Sequence, residues 1–250
     1  VVELGTESTM VSHPPVTMSM RGSVALVVVD DGARNTVDAR LAAALRKTLM
    51  EAQAQAGAVV VAGRPGCYSE GMDNEVLRSG GEAASDLLHL GTELILQLVE
   101  FPRPTVMACT GLTLEAAAVS MLCFDVRIGA AGDYRIGMDF VSRGVSVPDL
   151  AADLARSRLS SRHMTMACNT ARLYSPDEAV EAGFLDYVTT GDVVEEACEA
   201  AADLAERLDP AAFEATRALT CRNLTEAIIR SAGSLWRRTP SARQRAGHRD

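Results

Sequence analysis

Along the first 140 positions, short unbroken apolar runs alternate with stretches whose apolar residues recur at helical spacing. SVALVVVDDG (23–32) is a near-continuous β-branched run closed by Asp-Asp-Gly, which predicts a buried strand and a turn. In DARLAAALRKTLMEAQAQ (38–55), Leu41, Leu45, Leu49 and Ala52 fall on one helical face. AVVVAG (58–63) predicts the next strand, opening into the glycine-bearing loop GRPGCYSEGMD. A helix from about Ser85 to Val99 carries Leu87, Leu90, Leu94 and Leu98 and is stopped by Pro102 and Pro104. TVMACTG (105–111) reads as a third strand ending in a turn at Gly111, with a helix starting in LEAAAVS just after it. FDVRIGAA (124–131) and DYRIG (133–137) read as further strands.

From Pro148 onward the pattern is helical. Val193, Ala197, Ala201 and Leu204 mark one amphipathic helix, and Asp209-Pro210 caps another with proline at its first position. Strands alternating with helices, then a helical end, predict an α/β core followed by a C-terminal helical region. The expected divisions are a loose, polar N-terminal segment (1–21), a core (22–190), a helical region (191–236) and a basic tail (237–250). The tail, RRTPSARQRAGHRD, reads as solvated or disordered, with a specific binding role as the alternative.

Composition narrows the classes. A chain of 250 residues with 48% hydrophobic and 23% charged content can bury a real core. A net charge of −9 disfavours nonspecific nucleic-acid binding, though a local positive patch can still hold an anionic ligand. No apolar run reaches membrane-spanning length, and the first residues lack the basic segment and apolar run of a signal peptide; a cytoplasmic location is the expectation. Six cysteines (67, 109, 123, 168, 198, 221), widely spaced and without a C-x-x-C, read as reduced and mostly buried thiols. Four scattered histidines (13, 89, 163, 248) form no metal-ligand pattern, so no metal site is expected.

Two strand-to-helix junctions are candidates for chemistry. One leads through Gly71-Met72-Asp73 into a short helix; the other is TGLTLEAAAVS (110–120). Backbone N–H groups from two such loops, aimed at one point, make an oxyanion hole without requiring any particular side chain. On spacing alone, both can equally be ordinary connections with Gly71 and Gly111 in tight turns. Glu115 sits in the second junction. Its carboxylate reads either as a solvated or helix-capping group, or as a charge turned into a pocket.

Five segments in order resemble the crotonase (enoyl-CoA hydratase/isomerase) superfamily over about residues 22–230. They are DDGARNTV, VVVAGRPGCYSEGMD, FPRPTVMACTG, CFDVRIGAAGDYRIG and YSPDEAVEAGFLDYV. DDG, VMACTG and Y-x-I are similar to a mycobacterial-type branch. The resemblance implies a ββα spiral core with a C-terminal helical trimerisation region, assembled as a homotrimer or a dimer of trimers. It also implies an acyl-CoA or related acyl thioester as substrate or ligand, no other cofactor, and no nucleic-acid or membrane partner.

By position, the resemblance places the oxyanion-hole amides at Met72 and Ala116, with Glu115-Ala116-Ala117 replacing the usual three glycines. It places coenzyme A along Arg34, Thr36 and Gly71, with Arg34 or Arg64 near phosphate; either arginine also reads as a plain surface charge. The two glutamates that handle water in the hydratases fall on Val119, eight residues after Gly111, and Phe140, four residues before Gly144. Neither side chain moves a proton, and acid/base groups supply roughly 10²–10⁴-fold each. Val119 and Phe140 are therefore expected to line an apolar pocket at the thioester, and ordinary hydration to be slow. Asp139 (after a one-residue shift), Asp149 (with the prolines aligned) and Glu115 are the candidate acid/base groups. Asp149 fits a helix-start carboxylate equally well. Two functions follow: an acyl-CoA enzyme with isomerase-type enolate chemistry, or a non-catalytic acyl-thioester binder or partner subunit.

Overall fold

The computed structural model describes residues 14–238, with side chains through Ser231. Nine strands are present among them: β1 (Val16–Arg21), β2 (Val24–Val29), β3 (Ala58–Ala62), β4 (Gly66–Ser69), β5 (Thr105–Cys109), β6 (Gly111–Leu114), β7 (Val126–Ala130), β8 (Ile136–Gly137) and β9 (Tyr187–Thr189). The helices of the first half are α1 (Ala39–Gln55), α2 (Asn74–Ser79), α3 (Gly81–Val99) and α4 (Ala116–Met121). Those of the second half are α5 (Asp149–Arg158), α6 (Ser161–Asn169), α7 (Pro176–Ala182), α8 (Val193–Arg207), α9 (Pro210–Thr220) and α10 (Arg222–Arg238).

Two sheets share the strands. The larger has the order β1-β2-β3-β5-β7-β9, parallel except for the β1–β2 hairpin, and the smaller is the parallel set β4-β6-β8. The chain therefore visits the large sheet, then the small one, then a helix, and repeats: β3-β4-α2, β5-β6-α4, β7-β8-α5. This is the ββα spiral that the sequence resemblance implies. A strand of the small sheet begins two to six residues after β3, β5 and β7, so backbones approach closely. A Cβ on Gly111 would lie 2.1 Å from the carbonyl carbon of Gly66, so only glycine starts β6 beside β4.

Every residue of β3 and β5 is buried because both faces of the large sheet are covered. Val24, Leu26, Val60, Val106 and Ile128 face Val193, Ala197, Cys198 and Ala201 of α8. Ala25, Val27, Val59, Val61 and Met107 face the main core with Leu49, Leu98, Phe101 and Phe124. Period-2 alternation along continuous apolar runs thus feeds two cores at once. The C-terminal helices are tied down by Arg217 of α9, 7% exposed, which donates to the Phe101 carbonyl (2.9 Å) and pairs with Asp125. Asp125 also accepts from the Thr105 N–H (2.8 Å) and hydroxyl (3.0 Å). Cys109, Cys123, Cys168 and Cys198 are buried, Cys67 and Cys221 partly so, and burial pushes the Cys123 thiol up to about 12.

Several sequence expectations need correction. Residues 16–21, read as part of a loose lead-in, form an edge strand whose side chains are mostly exposed, which hides the apolar signal. Gly111 starts a strand of the second sheet rather than a turn. The strand expected over 133–137 shrinks to Ile136–Gly137, and a ninth strand sits within the region expected to be helical. The helix expected from Ser85 begins at Gly81. Residues 1–13, with His13, and 239–250, most of the basic tail with His248, lie outside the described residues.

Candidate active site

The first junction is built by loop 30–37 against loop 67–73. Asn35, fully buried at φ +52°, donates through Nδ2 to the carbonyls of Val29 (2.8 Å) and Tyr68 (2.9 Å), while its Oδ1 accepts from the Asp31 N–H (2.9 Å). Asparagine tolerates this left-handed backbone better than most residues. Ser69 continues the chain of bonds: its hydroxyl donates to the Asn35 carbonyl (2.6 Å) and accepts from the Gly71 N–H (3.1 Å). Val37 then pairs with the strand-like segment at Met72, donating to the Gly71 carbonyl (2.8 Å) and accepting from the Asp73 N–H (3.0 Å). Neighbouring amides of an extended segment face opposite sides, so the Met72 N–H is left pointing away from Val37. Gly91 of α3 makes room for the Met72 side chain, and Asp73 caps α2 through the N–H groups of Glu75 (2.9 Å) and Val76 (3.1 Å).

The second junction is β6 running into α4. The Glu115 N–H donates to the Gly137 carbonyl (2.9 Å), which fixes the backbone where the helix starts at Ala116. Glu115 itself has φ +53° and ψ −122°, a conformation that suits glycine and costs other residues of order 1–3 kcal/mol. Its side chain neither caps the helix nor reaches solvent; the residue is 2% exposed. The carboxylate lies against Gly71, where a Cβ would come within 2.9 Å of Oε2, so it sits beside the Gly71–Met72 peptide. Asn74 Nδ2 donates weakly to the same oxygen at 3.4 Å. Burial pushes the Glu115 carboxyl above its ordinary range, and Asp139 adds to this. Arg143, Asn74 and Met72 pull the other way.

A third segment closes the site. Asp139, 6% exposed, follows β8, and its Oδ2 accepts from Arg143 Nε at 2.6 Å, while Oδ1 is buried without a partner. Arg143 also lines a cleft of about 510 Å³, together with Met72, Asn74, Thr36 and Glu70. Met72, Asn74 and Arg143 line the cleft, and the buried carboxylates of Glu115 and Asp139 lie behind them, against Asn74 and Arg143 respectively. Such a group can hold a polarised oxygen and pass a proton to a carbon beside it.

The sequence-derived candidates divide cleanly. Met72, Gly71, Glu115 and Asp139 are brought together, with Ala116 next to Glu115 and Thr36 on the cleft wall. Val119 and Phe140 are buried at 4% and 7% exposure in the main hydrophobic core. Arg34 pairs with Glu70, and Arg64 donates to the Ala33 carbonyl and faces Asp30 at 3.6 Å, so both bridge loops. Asp149 is exposed in the first turn of α5, where a carboxylate favours the helix start. Arg143, Asn74 and the Asn35–Ser69 pair were not singled out by the sequence reading. Asn35 lies inside the quoted DDGARNTV, so its motif was visible, whereas the Asp139–Arg143 pairing carries no signal short of coordinates.

Comparison with known proteins agrees with this architecture. The family profile described as Enoyl-CoA hydratase/isomerase matches residues 19–232. A Mycobacterium tuberculosis enoyl-CoA isomerase is similar at 30% identity and a TM-score of 0.85, over 90% of this chain and 99% of that one. An enoyl-CoA hydratase from Mycobacterium ulcerans is similar at 31% identity and a TM-score of 0.84, over 88% and 97% of the two chains. Human mitochondrial delta3-delta2-enoyl-CoA isomerase shares the fold at 20% identity and a TM-score of 0.79, over 88% and 92%. No curated protein matches at significance. With the spiral fold, the paired junctions and a profile match across most of its length, this chain belongs to the enoyl-CoA hydratase/isomerase family.

Proposed function

We propose that the protein binds an acyl-CoA thioester and moves its double bond by isomerase-type enolate chemistry, with the thioester oxygen on the N–H groups of Met72 and Ala116. Glu115 is the proton carrier. It takes a proton from the carbon next to the thioester carbonyl, the negative charge delocalises onto the oxygen, and the proton returns two carbons further along the chain. No water is consumed. The observation that supports this reading is the buried Glu115 carboxylate beside Gly71 and Asn74; the resemblance adds that Val119 and Phe140 stand at the two water-handling positions. Burial keeps Glu115 basic, and Asp139, held by Arg143, is a second carboxylate near it whose repulsion Arg143 offsets. Asp149, exposed on α5, is outside this scheme.

The test is to supply a 3-enoyl-CoA and follow the rise in absorbance of the conjugated 2-enoyl product. Turnover is expected with the native protein and lost in Glu115→Gln. Hydration of crotonyl-CoA at a rate within about tenfold of a competent hydratase would overturn the scheme, which consumes no water. The second reading, a non-catalytic acyl-thioester binder, is favoured by the apolar Val119 and Phe140. It predicts saturable acyl-CoA binding with neither reaction. The homotrimer belongs to the same proposal, supported by exposed Leu219 (64%) and Ile229 (56%) on α9 and α10.

A further inference from the structure

The carboxylate of Glu115 and the thioester oxygen have the same target. We infer that in the free protein Glu115 occupies the oxyanion position itself, as an internal substitute for the substrate oxygen, and that binding an acyl thioester requires its carboxylate to move off the Met72 N–H. This rests on the acyl-thioester reading above and adds a resting state to it.

Four observations carry the inference. Glu115 is 2% exposed as a residue, so its side chain is not a surface group resting by chance near the loop. Its Oε2 lies within 2.9 Å of where a Gly71 side chain would begin, directly beside the Gly71–Met72 peptide. The Val37–Met72 pairing uses the Gly71 carbonyl and the Asp73 N–H, leaving the Met72 N–H out of the backbone ladder and on the side away from Val37. The backbone at 115 holds a glycine-type conformation although the residue is glutamate, so the side chain is kept in this place at a local cost.

The arrangement couples binding to basicity. While the carboxylate accepts from the Met72 N–H, its charged form is stabilised. When a thioester oxygen takes over that donor, the carboxylate loses it and becomes a stronger base beside the carbon it must deprotonate. The groups facing Glu115 are Asn74 from α2, Met72 from its loop, and Asp139 and Arg143 from the segment after β8. A site occupied by its own side chain nine-tenths of the time has its apparent affinity lowered about tenfold.

The experiment uses butyryl-CoA, which has the thioester oxygen but no double bond to move, titrated calorimetrically into native protein, Glu115→Gly and Glu115→Gln. The Met72 amide resonance of each free protein is followed by NMR from pH 4 to 8. Expected are tighter binding by about tenfold in Glu115→Gly, a smaller gain in the isosteric Glu115→Gln, and a Met72 amide that titrates only in the native protein. Glycine suits the backbone at 115, and glutamine keeps the bulk, so loss of folding does not mask the result. Equal affinities with a pH-independent Met72 amide overturn the inference and leave the acyl-thioester reading intact. A gain confined to Glu115→Gly overturns it too, because added space then explains the change. If butyryl-CoA binds none of the three proteins, the acyl-thioester reading fails, and the Met72 titration alone decides whether Glu115 sits on that amide.

Discussion

At the scale of single residues, Glu115 concentrates three costs: a strained backbone, a buried carboxyl and a neighbouring Asp139. Glu115→Gly is expected to raise stability by about 1 kcal/mol in urea unfolding, the relieved strain outweighing the extra chain entropy of glycine. The charge gives a separate, pH-dependent effect. Burial holds the folded-state pKa of Glu115 above the ordinary carboxyl value of 4.5, so the folded state binds the proton more tightly than the unfolded one. The stability this contributes is present below 4.5 and is lost as pH rises through the folded pKa. Glu115→Gln should therefore gain relative to native protein on going from pH 4 to pH 8. An unchanged difference between their urea midpoints at the two pH values would show that the carboxyl is not desolvated.

Among the elements, the small parallel sheet and the loops around it position the site, and they tolerate little change. Gly111→Ala would force a Cβ to 2.1 Å from the Gly66 carbonyl carbon, separating β6 from β4. We expect a loss of more than about 3 kcal/mol, or failure to accumulate as soluble protein. Asn35→Ala leaves the Val29 and Tyr68 carbonyls without their donor, and the expected cost is about 2–3 kcal/mol with faster hydrogen exchange at Asp31 and Gly71. What could be seen from sequence follows the same line. β3, α1 and α8 announce themselves because continuous or periodic apolar positions match buried faces. β1 does not, since an edge strand with exposed side chains has no apolar face to show. The Met72 and Glu115 junctions were visible as strand–glycine–helix patterns, but the direction of the Glu115 side chain was not. That direction depends on a positive φ and on the space left by Gly71, and both are properties of the assembled loops. Asp139 needed coordinates for the same reason, as its partner Arg143 reads in sequence as one more surface charge.

For the whole molecule, the C-terminal third is joined to the spiral by charge as well as by packing. Arg217, 6% exposed at its side chain, bridges Asp125 and the Phe101 carbonyl. Arg217→Ala leaves a half-buried Asp125 without its cation and should cost about 3 kcal/mol, measured as a lowered urea midpoint. Light scattering of the native protein is expected to give three times the chain mass of 26.5 kDa, in keeping with the exposed apolar residues of α9 and α10. A monomer at micromolar concentration would remove the trimer from the proposal. No helix among the described residues is long and apolar enough to cross a membrane.

The packing of α8 against the large sheet has a consequence for the protein's birth on the ribosome. Val24, Leu26, Val60 and Val106 emerge early, yet the helix that shields them from water is encoded from Val193 onward. Through most of synthesis one side of the growing sheet is bare hydrocarbon, the condition in which nascent chains stick to one another or engage chaperones. A chain cut at Gly191 should consequently pellet rather than fold, even though it retains Met72, Glu115 and Asp139.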